Sequence, residues 1–225
     1  MHVAMIGSKG IPATVGGVER HVEELATRLA VRGVQVTVYA RPWYTKRAPW
    51  SMVEYRGVRT VTVPSVASKH WDAVSHAFLA TLHAMRDRVD CYHYHGVGPS
   101  LIAWIPRVFR PRAKVVSTFH CIDRLHAKWG FFARAALRLG EWAACVFPHE
   151  TLSIGATVAQ YCTKQYRRGT TCISNGVAVK PVILQDHATQ ALAHFGIRPK
   201  RYLLVVTRLV PHKGVHVAIA AFQQL

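Results

Sequence analysis

The sequence predicts a doubly wound α/β fold, a parallel sheet with helices on both faces. Three observations predict it. Apolar runs of strand length alternate with segments of helical periodicity from His2 to Ser174. The first strand leads through a glycine-containing loop into a helix and then a second strand, a βαβ crossover of the kind that builds parallel sheets. Half of the 225 residues are hydrophobic and 18% are charged, which supplies a large core and excludes the disordered and low-complexity classes.

Taken in order, His2–Ile6 is a short apolar strand. Val18–Arg32 sets Val18, Val22, Leu25, Ala26 and Leu29 at helical spacing and stops at Gly33, and Val34–Ala40 returns as the second strand. Val53–Tyr55 and Val58–Val63 are β-rich segments flanking Gly57. A helix near Trp71–Arg88, a strand at Cys91–His95, a helix near Pro99–Phe109 and a strand at Lys114–Phe119 continue the alternation. It closes with a long helix over Phe131–Val146, a strand near Glu150–Ile154, a helix at Ala156–Tyr166 and a strand at Thr170–Ser174. After Asn175-Gly176-Val177 the pattern relaxes. The expected organisation is a first domain over 1–180, a linker over 181–200 with a short helix near Gln190–Phe195, and the start of a second domain over 201–225. That start reads as strand Tyr202–Val206, turn Thr207–Gly214 and helix Val215–Leu225. One strand and one helix cannot bury both of their faces, so this part is expected to be abbreviated.

Twenty-nine Lys and Arg stand against 11 Asp and Glu, a formal charge of +18. Such a balance suits a nucleic-acid-binding module or a surface that rests on anionic lipid. The basic residues are scattered, and the cluster Lys164, Arg167 and Arg168 carries no reading motif, so no nucleic-acid partner is expected. By contrast Arg107, Arg110, Arg112, Arg124, Lys128, Arg134 and Arg138 surround Trp129, Phe131 and Phe132, a pattern suited to lipid headgroups. No apolar stretch reaches the roughly 18 residues of a membrane span. The opening Met-His-Val-Ala-Met-Ile-Gly lacks the basic region of a secretory signal. Five cysteines without a Cys-x-x-Cys pair argue against a disulfide framework. The expected location is cytoplasmic, peripheral on the inner face of the membrane.

Chemistry belongs at the carboxyl ends of the strands, where an open parallel sheet presents its crevice. The first such loop runs from Gly7 to Gly17 into a helix N-terminus, where glycines let backbone N–H groups approach a phosphate and the helix dipole favours negative charge. Gly16 and Gly17 are the phosphate- or sugar-facing candidates. The spacing is not Gly-x-Gly-x-x-Gly. Arg41, rather than an acid, ends the second strand, so a dinucleotide reading survives only for NADP. His212-Lys213-Gly214 is not a Walker A motif. His93-x-His95 offers two imidazoles on one strand face, but no third ligand at suitable spacing completes it, and no metal or other cofactor is expected. Cys121 beside His120 points to the opposite side of the chain and has no oxyanion motif with it.

A resemblance is carried by Gly7…Pro12…Gly16-Gly17-Val18-Glu19, Glu23-Glu24-Leu25-Ala26 and Arg32-Gly33-Val34-Gln35-Val36-Thr37-Val38. Further along, it is carried by His93-Tyr94-His95-Gly96 with Gly98-Pro99, Thr118-Phe119-His120, Lys128-Trp129-Gly130, Ser174-Asn175-Gly176-Val177 and Val206-Thr207-Arg208-Leu209-Val210-Pro211-His212-Lys213-Gly214. In order and spacing these segments resemble family 4 retaining glycosyltransferases of the two-Rossmann-domain GT-B architecture. Within the family the chain is most similar to bacterial rhamnosyltransferase-like enzymes of surface polysaccharides.

The resemblance implies transfer of a sugar, with retention, from a nucleotide-sugar donor to a cell-envelope glycan or lipid-linked acceptor, without a catalytic metal. It places Gly16 and Gly17 near the donor phosphates and acceptor, and His120 by the donor sugar with Asp123 and Asn175 as neighbours. Arg208 and Lys213 would grip the diphosphate. Cys121 stands where the family usually has Gly, and Val15 where an aromatic is common. The family's Glu-x7-Glu segment is not found before residue 225, so the 225-residue chain is expected to be inactive unless a C-terminal domain is supplied.

Overall fold

The computed structural model describes residues 1–68, 71–125, 129–177, 185–207 and 209–224. They form two compact units, Met1–Gly176 and Val177–Leu225. The first runs β1 His2–Ile6, α1 Gly17–Val31, β2 Gln35–Ala40, α2 Pro42–Thr45, β3 Met52–Tyr55, β4 Val58–Thr62, α3 Asp72–Ala84 and β5 Cys91–His95. It continues through α4 Val97–Ser100, α5 Trp104–Phe109, β6 Lys114–Phe119, a 3-10 turn Asp123–Leu125, α6 Phe131–Val146, β7 Glu150–Ser153, α7 Ala156–Tyr166 and β8 Thr171–Cys172.

The strands of the described residues form one sheet in the order β3-β4-β2-β1-β5-β6-β7-β8. Every pairing is parallel except β3 with β4, which the Arg56-Gly57 turn joins as a hairpin. This is the doubly wound α/β fold the sequence predicts. Alternation along β1 explains the two layers. Val3 and Met5 pack with Val22 and Ala26 of α1, whereas Ala4 and Ile6 face the layer that holds Ala77 and Ala80 of α3. Burial on both faces is why these strands read as continuous apolar runs.

Two expectations are corrected here. The single helix expected near Pro99–Phe109 is two short helices, because Pro106 sits in the first turn of α5, where a missing N–H costs nothing and a new start is favoured. Tyr202–Val206 is not a strand. Its residues are exposed, with Val206 at 85%, and among the described residues no strand lies beside it to supply ladder hydrogen bonds. Otherwise the second unit holds helix α8 Gln185–His194, a 3-10 turn Pro211–Lys213 closed by left-handed Gly214, and helix α9 Val215–Phe222. The expected domain edge at residue 180 lies outside the described residues.

Candidate active site

Strand order reverses between β1 and β5, so the loops leaving these two strands diverge and open a crevice at their carboxyl ends. Gly7 and Gly96 make the exits, at φ 114° and 95°. A Cβ on Gly7 would stand 2.6 Å from the His95 carbonyl oxygen and 2.7 Å from Pro99, so only glycine fits this crossing. Beside it lies a cavity of about 310 Å³, lined by His95, His120, Asp123 and Glu19 and walled by Val74 of α3 and Leu137 of α6. Polar groups at the floor and apolar side walls are the usual make-up of a small-ligand site.

Buried charges hold the glycine loop over this opening. Glu19 accepts a hydrogen bond from the Lys9 amide at 3.2 Å, and Glu23 accepts from the Ala13 amide at 2.7 Å and from the Tyr55 hydroxyl at 2.9 Å. Arg41 donates to the Gly7 carbonyl at 2.9 Å and pairs with Asp72 at 2.8 Å. Arg41 is therefore buried and committed to the protein itself, which removes the feature that had left an NADP reading open. On the far wall Arg124 donates to Glu141 at 3.1 Å, and the hydroxyls of Tyr161 and Tyr166 donate to the same carboxylate oxygen at 2.8 and 2.7 Å. This network anchors the loop that follows His120.

At the floor the fold assembles histidines from three elements. His95 ends β5, His120 follows β6, and His21 projects from the second turn of α1. His95 Nδ1 and His120 Nε2 are 3.3 Å apart, and the His21 ring meets those of His95 and His120 at centroid distances of 5.6 and 5.0 Å. His93 instead hydrogen-bonds Thr118 Oγ1 at 2.7 Å. Burial pushes His120 down to about 4 and His93 to about 3, assisted by the neighbouring imidazoles. Burial also holds His95 well below the ordinary range and lowers His21 against an opposing hydrogen bond from Asn175. The cluster is neutral at neutral pH.

The structure thus brings His120 and Asp123 to one opening, whereas Asn175 does not line it and instead hydrogen-bonds His21. Gly16, the residue before α1, lies at φ 97°, and a Cβ there would collide with the Glu19 carboxylate. Gly17 begins α1 with open space around its Cα, so the conformational need for glycine rests on Gly16 alone. No side chain caps this helix among the described residues, which leaves its first-turn amides facing outward. Arg208 lies outside the described residues. Lys213 ends the 3-10 turn of the second unit, exposed. Sequence reasoning missed His21, Glu19, Glu23 and Glu141. The charged helix positions resemble a solvated face, and His21 shows no partner until the strands are ordered.

A doubly wound parallel sheet with a polar-floored crevice at its switch point is a Rossmann-like domain. Residues 15–181 match the profile of Glycosyltransferase Family 4, and the chain belongs to that family. Its fold is similar to that of sucrose-phosphate synthase from Thermosynechococcus elongatus, with a TM-score of 0.71 and 17% identity over 100% of this chain and 60% of that one. It is similar also to the catalytic domain of starch synthase IV from Arabidopsis thaliana bound to ADP and acarbose, with a TM-score of 0.69 and 17% identity over 99% and 66%. The chain therefore spans about two-thirds or less of either neighbour. None of the curated protein sequences matches it significantly. Among the described residues no helix is long and apolar enough to cross a membrane.

Proposed function

We propose that this chain is the acceptor-side half of a glycosyltransferase that moves a sugar, with retention, from a nucleotide-sugar donor to a cell-envelope or exopolysaccharide acceptor, in the manner of rhamnosyltransferase-like enzymes. The observation that carries the reading is the cavity between His120, Asp123 and the N-terminus of α1, in a chain of this family. Bond cleavage places charge on the leaving diphosphate, so donors that strengthen their interaction in that state lower the barrier. The uncapped amides after Gly16 and Gly17 suit this task, with Arg208 and Lys213 as the cations that grip the diphosphate. A neutral imidazole at His120, lowered by burial, can donate or accept one hydrogen bond at a sugar hydroxyl without adding charge. The starch synthase neighbour holds ADP, which supports a nucleoside diphosphate as the leaving group. The transfer itself needs no metal in this reading, and the 225 residues alone do not turn over.

A lipid-linked acceptor and an anionic membrane surface complete the proposal, with a cytoplasmic, peripheral location. Phe131 and Phe132 are 81% and 86% exposed beside exposed Arg134 and Arg138 at the start of α6, on the rim of the cavity. Donor consumption with a panel of UDP-, GDP- and dTDP-sugars and membrane-extracted acceptors is the test, using the 225 residues joined to a family C-terminal domain. Transfer that falls about 10²-fold or more in His120→Ala is expected. Undiminished transfer by His120→Ala, or thermal stabilisation by NADP or oligonucleotide in place of nucleoside diphosphates, refutes the reading.

A further inference from the structure

His21, His95 and His120 are separated by 74 and 25 positions in the sequence, yet their ligating atoms all lie within 4.8 Å of one another. Two nitrogens bound at about 2.0–2.1 Å to a tetrahedral ion sit about 3.3–3.4 Å apart. The 3.3 Å between His95 Nδ1 and His120 Nε2 already matches that edge. His21 is the half-buried member, and its ring meets the other two edge-on. Its orientation has a partner of its own in Asn175, the kind of outer contact that fixes a ligating imidazole.

A cluster serving only as packed core would satisfy its ring nitrogens. Here His21 Nε2 is buried without a hydrogen-bond partner among the described residues, and a buried polar atom left unpaired is costly. His95 and His120 also line the 310 Å³ cavity, which gives an ion a route in and leaves a coordination position facing the cavity.

We propose that His21, His95 and His120 form a three-imidazole site for one zinc-class divalent cation, with its fourth position open to the cavity. An all-nitrogen donor set selects Zn²⁺, Co²⁺, Ni²⁺ or Cu²⁺ over Mg²⁺ and Ca²⁺, which take oxygen ligands. Neutral imidazoles are the ligating form, so binding displaces no proton from an imidazolium near neutral pH. Resting on the proposed function, an ion here occupies His120 and competes with its role at the donor sugar, so the site is inhibitory.

The test is direct binding, which reads no sugar transfer and so leaves the transferase reading standing if it fails. The metal-free 225-residue chain is titrated with Co²⁺ and then with competing Zn²⁺. One Co²⁺ per chain with the intense visible bands of four-coordinate cobalt, displaced by Zn²⁺ and not by Mg²⁺, is the expected result. His21→Ala, shown folded by circular dichroism, is expected to weaken binding about 100-fold or more. His149→Ala, which alters an imidazole hydrogen-bonded to Arg107 before β7 at the other end of the sheet, is expected to leave affinity unchanged. Absence of the four-coordinate spectrum, affinity in folded His21→Ala within about threefold of the parent where that ~100-fold loss is expected, or an equal loss in His149→Ala overturns the proposal.

Discussion

Gly140→Ala sets two effects of opposite sign against each other. Gly140 sits inside α6 with helical backbone, and on propensity alone alanine there gains ~1 kcal/mol. The neighbour decides otherwise. A Cβ on Gly140 would stand 2.6 Å from the Val97 carbonyl oxygen and 3.0 Å from its carbonyl carbon, where comfortable carbon contacts lie at about 3.5–4.0 Å. These atoms are backbone of α4, which cannot rotate aside as a side-chain tip can. To admit the methyl, α6 must move off α4 by most of an ångström, loosening Ala144 and Cys145 against Val97 and Phe119. Overpacking of this kind costs ~1–3 kcal/mol. Set against the gain, the net destabilisation is about 0–2 kcal/mol, a fall in Tm of up to roughly 8 °C for a domain of this size.

The assay is thermal and urea unfolding of Gly140→Ala beside Gly17→Ala. A Cβ at Gly17 meets nothing within 4 Å, so that variant is expected to be neutral or slightly stabilised. If Gly140→Ala raises the Tm as Gly17→Ala does, propensity has won and the close approach of the two helices is refuted. The same displacement moves Leu137 and Val97, which wall the cavity, so ligand binding is expected to weaken along with stability.

Glu141→Gln removes the charge that receives Arg124, Tyr161 and Tyr166; since Arg124 is 28% exposed, the expected cost is about 2 kcal/mol rather than the ~3–5 kcal/mol of a fully buried pair, read by urea unfolding. Burial, then the Arg41 cation, pushes His76 down to about 3 while its ring stays neutral beside the Ala40 carbonyl. The unfolded chain takes up this proton below about 6.5 and the folded one does not, so the contribution is complete above that pH and is lost as pH falls toward 3. His76→Gln is expected to be flatter than the parent by ~2 kcal/mol between pH 6.5 and 5, and parallel stability curves refute the assignment. Anionic vesicles are expected to bind the chain with strong salt dependence, at ~1 kcal/mol for each basic residue near the surface. Replacing Phe131 and Phe132 by Ser should weaken that binding, whereas equal co-sedimentation with neutral vesicles excludes the surface.

What was legible in the sequence follows from how each element is stabilised. Strands β1, β5 and β6 are buried at nearly every position, so their short runs of apolar, aromatic and β-branched residues report their ends closely. The Phe131–Val146 and Ala156–Tyr166 helices carry their periodicity alone. Tyr202–Val206 has the same composition and no ladder. Its apolar run reports what it could bury, and pairing is a property of neighbours. Gly140 is a glycine in a helical pattern, a signal that something approaches closely, but the carbonyl it faces lies more than forty residues earlier. The site divides the same way. His120 and Asp123 were legible because they stand at a strand's carboxyl end. His21 was not, because its role depends on where β1, β5 and β6 fall in the sheet order.

The acidic residues show why the charge balance and the site have to be considered together. Glu19, Glu23 and Glu141 are buried at 7%, 3% and 0% exposure, and each spends its charge on the protein's own amides, hydroxyls or guanidinium. Of the 11 acids that offset 29 bases, these three are withdrawn from the surface to hold the loops on either side of the crevice. Arg41 is withdrawn as well, and the charge the solvent meets remains predominantly basic. On the proposed function, a phosphate-bearing donor or a lipid headgroup would be drawn toward it at long range. At the floor the same construction leaves neutral imidazoles instead of cations, so attraction ends at the rim and recognition inside the cavity depends on hydrogen bonding and shape. On the proposed function, steering and chemistry fall to different residues, and a substitution at the rim should alter salt dependence and association, while one at His120 should alter what happens after binding.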